Sequence, residues 1–351
     1  MRHSTSKRLR CFTLAAVVAL LVGAAAVAAH AAPVTGFGCY ANYEEVGGLS
    51  AWPAHCRLMK ACGMNTFALF YRDEVAVQEQ LDAAVEARML EPSIPVMLVS
   101  NAGPAVGKRL LGEARWAAIC AADTNPPSGF APGEAAIPAA VVKAARARAR
   151  HADQWPELLA YNYDEPGHGE ASWAGQASVA AVTKAFNATG LRCGTAVCHP
   201  HITNLVDCLD VLCVNLIIGA DLWRVRCELL GQGKPWWVYE IMTFGMTETA
   251  VRYNVGVQTW LLEAENRLTW SWTRLLGPQK DMARPVLSPV LRGYAAGVRD
   301  YHRLRLQEQS MARARMGFDW EGFPVEQFTR GPDKWRTWEP PAEWLRITGV
   351  Q

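Results

Sequence analysis

The chain has 351 residues, half of them apolar, and a formal net charge of +2. It can therefore bury a large core, and it carries no strong electrostatic bias. This balance argues against nucleic acid and against an anionic membrane surface as partners.

The first 31 residues have the order of a secretory signal. Basic residues precede an apolar run from Phe12 to Ala29, and Ala29-His30-Ala31 forms a small-residue cleavage site. We expect residues 1–31 to be removed, so that the mature protein is secreted or periplasmic and does not contact the membrane. Because the apolar run approaches membrane-spanning length, an uncleaved N-terminal anchor is the alternative.

The cysteines suggest buried apolar residues more than a disulfide framework. Of the ten cysteines, Cys11 leaves with the signal, which leaves nine. An odd number in an oxidising compartment allows some disulfides and leaves at least one free thiol. Most lie in apolar predicted elements and none forms a CxxC pair, so we assign no zinc site.

Short β-rich runs alternate with helical patterns along residues 32–306, which is typical of βα units on a parallel sheet. The predicted strands are Gly36 to Tyr40, Asn65 to Tyr71, Pro95 to Ser100, Leu158 to Tyr163, Leu191 to Cys198, Val211 to Leu216, Trp236 to Glu240 and Leu268 to Trp272. The predicted helices include Ala54 to Gly63, Val75 to Met89, Ala139 to His151, Trp173 to Asn187, Leu222 to Leu230, Ala250 to Leu262 and Val290 to Leu306.

Eight strands, each with a helix, predict a single (β/α)8 barrel domain over residues 32–306. No GxGxxG follows the first strand and no GxxxxGK[ST] occurs, so we expect no nucleotide cofactor, and we assign no other cofactor. Residues 307–351 contain four tryptophans among prolines and charges. We expect an irregular extension packed on the barrel; an aromatic platform for a sugar chain is the alternative.

Active sites of such barrels lie at the carboxyl ends of the strands, where this sequence has many polar and aromatic residues. Tyrosines, tryptophans and amides that converge on one mouth are typical of a carbohydrate pocket. The sequence has no dominant cationic cluster at these positions, which argues against a phosphorylated substrate. The predicted substrate-binding residues are Tyr40, Asn42, Tyr71, Arg72, Asn101, Asn162, His199, His201, Asn215, Trp237, Tyr239, Trp270 and Trp272.

Asp164 and Glu165, at the end of the fourth predicted strand, are the leading catalytic candidates. Pro166 favours an extended Glu165 and ends the strand ladder there. Two neighbouring carboxyls raise one another's pKa, so that one of them can remain protonated and serve as a general acid. The alternative is that one of them caps the next helix or pairs with an arginine.

Glu240, at the end of the seventh predicted strand, is the third catalytic candidate. A separation of about 5 Å between its carboxyl and that of Glu165 would fit a retaining glycosidase with Glu240 as nucleophile. An ion pair or a cap at the strand end is the alternative. His199 and His201 could face one metal ion, but no third ligand of suitable spacing is evident, so we assign no metal.

Three stretches resemble the barrel domain of glycoside hydrolase family 123 and its uncharacterised relatives. They are Tyr163-Asp164-Glu165-Pro166, Trp236-Trp237-Val238-Tyr239, and Arg292 with Gly297-Val298-Arg299-Asp300-Tyr301; Arg252 and the strand from Trp270 to Trp272 match less specifically. The resemblance implies substrate-assisted catalysis, in which the acetamido group of an N-acetylhexosamine attacks its own anomeric carbon. By that analogy Asp164 orients the acetamido group and Glu165 protonates the leaving oxygen.

The chain departs from that family in two ways. We expect no counterpart of the usual amino-terminal β-sandwich. Glu240 also allows a two-carboxylate retaining mechanism, with Glu240 as nucleophile and Glu165 as acid and then base, as the alternative. The leading prediction is an exported glycoside hydrolase acting on an oligosaccharide or polysaccharide that contains N-acetylhexosamine. A noncatalytic carbohydrate-binding barrel and a metal-dependent hydrolase using His199 and His201 are the alternatives. The sequence makes no prediction of oligomeric state.

Overall fold

The computed structural model describes residues 34–102, 104–122, 135–161, 175–197, 202–215, 221–241 and 246–306. The described residues from Thr35 onward belong to one compact unit. The predicted signal (1–31) and the predicted C-terminal extension (307–351) lie outside these ranges, so both stay predictions. In the described part of the chain, no helix combines the length and the apolar character needed to cross a bilayer.

Eight parallel strands close into a barrel in sequence order, and the last strand pairs with the first. The strands are β1 (Gly36–Asn42), β2 (Ala68–Tyr71), β3 (Val96–Ser100), β4 (Leu158–Tyr161), β5 (Cys193–Val197), β6 (Val211–Asn215), β7 (Trp236–Ile241) and β8 (Asn266–Trp270). Parallel neighbours need long crossover connections, which the helical patterns between the strands supply. The predicted (β/α)8 barrel is confirmed.

Helices cover the outside of the barrel. They are α1 (Trp52–Ala61), α2 (Glu74–Glu86), α3 (Pro104–Leu111), α4 (Glu113–Ala122), α5 (Ala136–Arg148), α6 (Gly175–Ala188), α7 (Asp221–Gly231), α8 (Glu248–Tyr253), a π-helical turn (Asn254–Gln258), α9 (Thr259–Leu262), α10 (Trp272–Leu276) and α11 (Pro289–Leu306). Helices α3 and α4 were not predicted. Between β5 and β6 the described residues form a 3-10 stretch, Ile202–Cys208, where an α-helix was expected.

Successive side chains of each strand alternate between the barrel interior and the layer under the helices. Leu69 and Trp236 exemplify the outer face and pack in the helix-facing clusters. The interior cluster comprises Tyr40, Ala68, Met97, Leu159, Tyr161, Ala196, Val211, Cys213, Trp237, Tyr239 and Leu268, with Phe70, Val99 and Trp270 packed against it. Because both faces are buried, hydrophobicity alone does not tell them apart.

The described cysteines behave as apolar residues, as the sequence suggested. Seven of them are free thiols, of which Cys227 is exposed and the other six are buried. Burial raises the pKa of the Cys62 thiol to about 12, so this group stays protonated and poorly nucleophilic at neutral pH.

Helix α11 lies very close to α8 and the π-helical turn because glycines leave room for backbone contact. A Cβ added to Gly297 would lie 2.7 Å from the carbonyl oxygen of Arg252 and 2.8 Å from Cβ of Val255. A Cβ added to Gly256 would lie 2.6 Å from the carbonyl oxygen of Gly297. The backbones therefore touch where any side chain would hold them apart.

The residues of α11 that carry the family resemblance serve this packing. Asp300 pairs with Arg252 of α8 at 2.6 Å, and Arg292 pairs with Glu248 at the start of α8. The Tyr301 hydroxyl hydrogen bonds with Thr35, just ahead of β1. This motif thus holds the last helix against the seam of the barrel and lies outside the barrel interior.

Gly297→Ala is expected to destabilise the fold by about 1–3 kcal/mol, because the added methyl group overlaps backbone atoms of α8 that cannot move independently. This loss should occur although alanine is the better helix former by roughly 0.5–1 kcal/mol. Urea unfolding would measure it. The control is Gly231→Ala at the end of α7, where a Cβ meets nothing within 4 Å. An unfolding midpoint for Gly297→Ala equal to that of wild type would contradict the close helix contact.

Candidate functional site

Five aromatic side chains from five strands meet on the inner face at the carboxyl end of the barrel. The ring of Tyr40 on β1 lies 5.0 Å from that of Trp270 on β8, 6.2 Å from Tyr239 on β7 and 6.4 Å from Tyr161 on β4. The ring of Phe70 on β2 lies 5.9 Å from that of Trp270. We call these five residues the aromatic floor. Trp270 and Phe70 are half-buried, so parts of both rings are open to a ligand.

Amide side chains lie around the aromatic floor, at the positions that the sequence predicted. Asn42 ends β1, and its side chain accepts a hydrogen bond from the backbone N–H of Glu44. Asn101 follows β3 and is exposed, while Asn215 ends β6 beside Tyr239 and is 5% exposed. These amides can donate to and accept from a polar ligand. Their role as substrate contacts stays a prediction.

Phe70 is a floor residue that was not predicted from the sequence, because the predicted site residues were the polar, tyrosine and tryptophan residues at strand ends. The alternation of Ala68 and Phe70 against Leu69 could have indicated its inward position. Trp237 also points inward, as predicted, but it lies two residues before Tyr239 and is 3% exposed. It therefore packs beneath the floor.

Two predicted substrate-binding residues lie elsewhere in the structure. Tyr71 is fully buried on the outer face of β2 with Leu69, and burial raises the pKa of its phenol. Trp272 begins α10 instead of ending β8; it is fully buried, and its Nε1 donates to Nδ1 of His55 at 3.0 Å. The prediction took the polar, tyrosine and tryptophan residues at strand ends to face the mouth, whereas alternate residues of a strand face the helices.

Arg72 follows β2 at the rim and is exposed, with its Nε 2.7 Å from Oε1 of Glu44. The two charges offset one another in solvent, so the rim at this point is not a cationic cluster. Whether Arg72 contacts a substrate stays a prediction.

Glu240 lies on the outer face of β7, on the opposite side of the strand from Tyr239. Its Oε1 is 2.6 Å from Nη2 of Arg267, a fully buried residue on the outer face of β8. Arg267 also donates to Thr259 at 3.0 Å and to Gln258 at 3.4 Å, both in the helix layer. The ion pair at the strand end, the alternative considered for Glu240, is therefore what the structure contains.

The other predicted catalytic and ligand-binding residues, Asn162, Asp164, Glu165, His199 and His201, lie outside the described residues. Glu240 and Arg267 are the charged residues within the eight strands, and both face the helices. The inner face of the strands is thus uncharged. Across the described ranges, no three histidine, cysteine, aspartate or glutamate side chains are grouped so that they could hold a metal ion.

No family model and no curated protein matches the chain. Among solved structures it is similar to the catalytic domain of a beta-amylase from Paenibacillus polymyxa, at 8% identity and a TM-score of 0.49, over 78% of this chain and 99% of that one. It is also similar to a glycoside hydrolase family 30 subfamily 8 xylanase from Clostridium acetobutylicum, at 11% identity and a TM-score of 0.44, over 76% and 70%.

A tryptophan synthase from M. tuberculosis is similar to about the same extent, at 12% identity and a TM-score of 0.40, over 76% of this chain and 94% of that one. At these identities and TM-scores the likenesses carry no argument about chemistry. The barrel rests on the strand pairing described above, and the resemblance to family 123 stays a prediction.

Proposed function

We propose that this protein is a glycoside hydrolase that holds a neutral sugar against the aromatic floor. The observation that carries the proposal is the floor itself: five aromatic rings in contact, amides around them, and an uncharged inner face. Aromatic rings cover the apolar faces of pyranose rings, and amides bond their hydroxyl groups. A phosphorylated sugar would need cations that the inner faces of the strands do not carry.

The proposed catalytic pair is Asp164 and Glu165. They follow Tyr161, a floor residue, by three and four positions. Because an extended chain spans at most about 3.6 Å per residue, connectivity keeps their Cα atoms within roughly 11 and 14 Å of that of Tyr161. This closeness along the chain to a floor residue is what supports the choice of Asp164 and Glu165 as the pair that acts on a ligand there.

The proposed reaction is substrate-assisted hydrolysis of an N-acetylhexosaminide. The acetamido oxygen attacks the anomeric carbon, the bond from that carbon to the glycosidic oxygen breaks, and Glu165 gives its proton to the departing oxygen. Asp164 accepts a hydrogen bond from the acetamido N–H and stabilises the positive oxazolinium. Water then attacks the anomeric carbon, the bond from that carbon to the acetamido oxygen breaks, and the water gives a proton to Glu165, which restores both the acetamido group and the acid.

The two-carboxylate alternative is less well supported, because it requires Glu240 to act as a nucleophile. Its carboxylate faces the helices and neutralises the fully buried Arg267. Turning it inward would leave that cation without a counter-ion in the helix layer, which is costly. Covalent labelling of Glu240 by a fluorosugar would overturn this part of the proposal.

The test of the proposed function is a panel of nitrophenyl glycosides that includes N-acetylhexosaminides. We expect release of nitrophenol from the N-acetylhexosaminides and inhibition by a thiazoline, which mimics the oxazoline intermediate. Turnover of glycosides without an acetamido group, unaffected by the thiazoline, would contradict the substrate-assisted mechanism while leaving glycosidase activity in place.

The second candidate function is a noncatalytic carbohydrate-binding barrel. It is favoured by the lack of an inward carboxylate in the eight strands, all of which lie in the described part of the chain. This function predicts saturable binding of oligosaccharides without turnover of any member of the panel.

Trp270→Ala is expected to weaken oligosaccharide binding by at least about tenfold, or ~1.4 kcal/mol, because the half-buried ring forms the open part of the floor. Isothermal titration with chitotriose would measure the change. Trp236→Phe is the matched control, since Trp236 lies on the outer face of β7 with its Nε1 donating to Leu262. Equal weakening by both variants would point to a general loss of fold instead of a lost sugar contact.

A further inference from the structure

The buried side chain of His55, on α1, uses both ring nitrogens in hydrogen bonds. Its Nδ1 lies 3.0 Å from Nε1 of Trp272, and its Nε2 lies 2.8 Å from the carbonyl oxygen of Met282 and 3.1 Å from that of Val46. His55 is fully buried, and its ring packs edge-on against that of Trp272 at 6.0 Å. We call these four residues the His55 junction.

The partners determine which nitrogen carries the proton. An indole N–H can only donate, so Nδ1 of His55 must be an acceptor without a proton. Carbonyl oxygens can only accept, so Nε2 must carry the proton and donate it to Met282 and Val46. All three contacts are therefore satisfied together by a single form of the ring, the neutral Nε2–H tautomer.

The His55 junction joins segments that carry mouth residues. Val46 ends the 3-10 turn that begins just after Asn42, and Trp272 follows Trp270 by two residues. A second bridge lies beside it, since Oε2 of Glu45 is 3.1 Å from Oγ1 of Thr273. The junction thus connects the segment after β1 with the segments after β8 and α10.

We propose that His55 is a positioning residue that holds Asn42 and Trp270 at the mouth, and that it does so only as the neutral imidazole. In acid, the mouth should lose its order at this seam. The proposal rests on the proposed function only in taking the mouth as the ligand site, because the contacts themselves require no ligand.

Protonation would place a hydrogen on Nδ1 directly against the N–H of Trp272, so one contact must be lost. Burial lowers the pKa of His55 from its ordinary value, and the hydrogen bonds to Met282 and Val46 partly oppose this shift. Among the residues that the structure describes, no charged side chain contributes to this shift in pKa. The charged residues on the segments around the junction are exposed: Glu44, Glu45, Arg57, Lys60, Arg274, Lys280, Asp281 and Arg284.

The direction of the pH effect follows from the lowered pKa. Below about pH 6.5 the imidazole of His55 is protonated in the unfolded chain, whereas in the folded protein it stays neutral until the pH falls further. The contribution of His55 to stability is therefore complete above that pH and decreases as the pH falls toward the folded pKa. Acidification should loosen the junction before it unfolds the barrel.

Hydrogen exchange of the full chain tests the proposal, read as protection factors so that the intrinsic pH dependence of exchange cancels. Between about pH 7.5 and about pH 5, protection in segments 43–48 and 271–286 should fall at least roughly tenfold in wild type. In His55→Gln, which cannot titrate, protection there should be the same at both pH values. His302→Gln is the matched control: the pKa of His302 is also lowered by burial, but its ring packs on Phe37 and Tyr301.

A pH response in His55→Gln equal to that of wild type would overturn the proposal. Should that variant fail to fold, the wild type alone decides: a long-range proton–nitrogen spectrum near about pH 7.5 should show a protonated Nε2 and a bare Nδ1. The opposite tautomer would overturn the assignment. Neither measurement uses a sugar, so a failure of the proposed glycosidase activity would be seen separately, in the glycoside panel.

Discussion

Glu165→Gln is expected to lower kcat on 4-nitrophenyl N-acetylhexosaminides by about 10²- to 10⁴-fold, the usual contribution of a general acid. Glutamine keeps the shape and the hydrogen-bonding capacity of the side chain but has no proton to give. The loss should be largest for poor leaving groups. For 2,4-dinitrophenyl substrates, whose phenolate departs without protonation, the first step should be nearly normal.

The control for this prediction is a glutamate that comes just before β4 in the sequence. Glu157 precedes β4, is exposed, and pairs with Arg192 at 3.3 Å. Glu157→Gln should therefore leave both kcat and KM unchanged. Equal activity of Glu165→Gln and wild type on every substrate would remove Glu165 from the mechanism. A decrease in activity of the same size for every leaving group would indicate that Glu165 acts in binding instead of proton transfer.

Removing Glu240 is expected to cost about 3–5 kcal/mol of folding free energy, because Arg267 would be left as an unpaired charge in the helix layer. Urea unfolding of Glu240→Leu would measure the loss. The double variant Glu240→Leu with Arg267→Met should recover most of it, since it removes both charges and fills the space with apolar groups. The coupling between the two substitutions then isolates the ion pair.

An exposed pair of the same chemistry provides the comparison. Arg292 and Glu248 lie 3.0 Å apart with about half of each side chain exposed, so Glu248→Ala should cost less than about 1 kcal/mol. If Glu240 were the catalytic nucleophile, its substitution would affect turnover more than stability. Glu240→Gln would then keep its stability and lose turnover, and an external nucleophile such as azide would restore it.

The strand order could be predicted because each strand is a short apolar run between longer helical patterns. The limits of the elements could not, since ends depend on contacts that the local pattern does not contain. Trp272 was predicted to end the eighth strand, yet it begins α10, and its indole N–H donates to His55, a residue distant in sequence. Helix α5 begins at Ala136, three residues before the predicted start.

The sequence predicted which strands carry residues of the candidate site, but it did not predict which of their side chains point into the barrel. Tyr40 and Tyr239 were identified and lie in the floor, whereas Tyr71 and Glu240 come from equally convincing strand ends and face the helices. A one-residue difference in position reverses the face, and in a barrel buried on both sides hydrophobicity does not reveal the difference. Phe70 was overlooked because an apolar residue looks the same on either face.

The hydrogen bond between Thr35 and Tyr301 bears on how the chain is made. It joins residues 266 positions apart, so the seam beside β1 can close only when almost the whole barrel has been synthesised. At about 5–20 residues per second, roughly 13–53 s pass between the two residues. During that time the first strand has an unpaired edge, because its partner β8 is made late. The first strand of the nascent protein therefore stays exposed until β8 pairs with it, and the last helix closes the seam only after that.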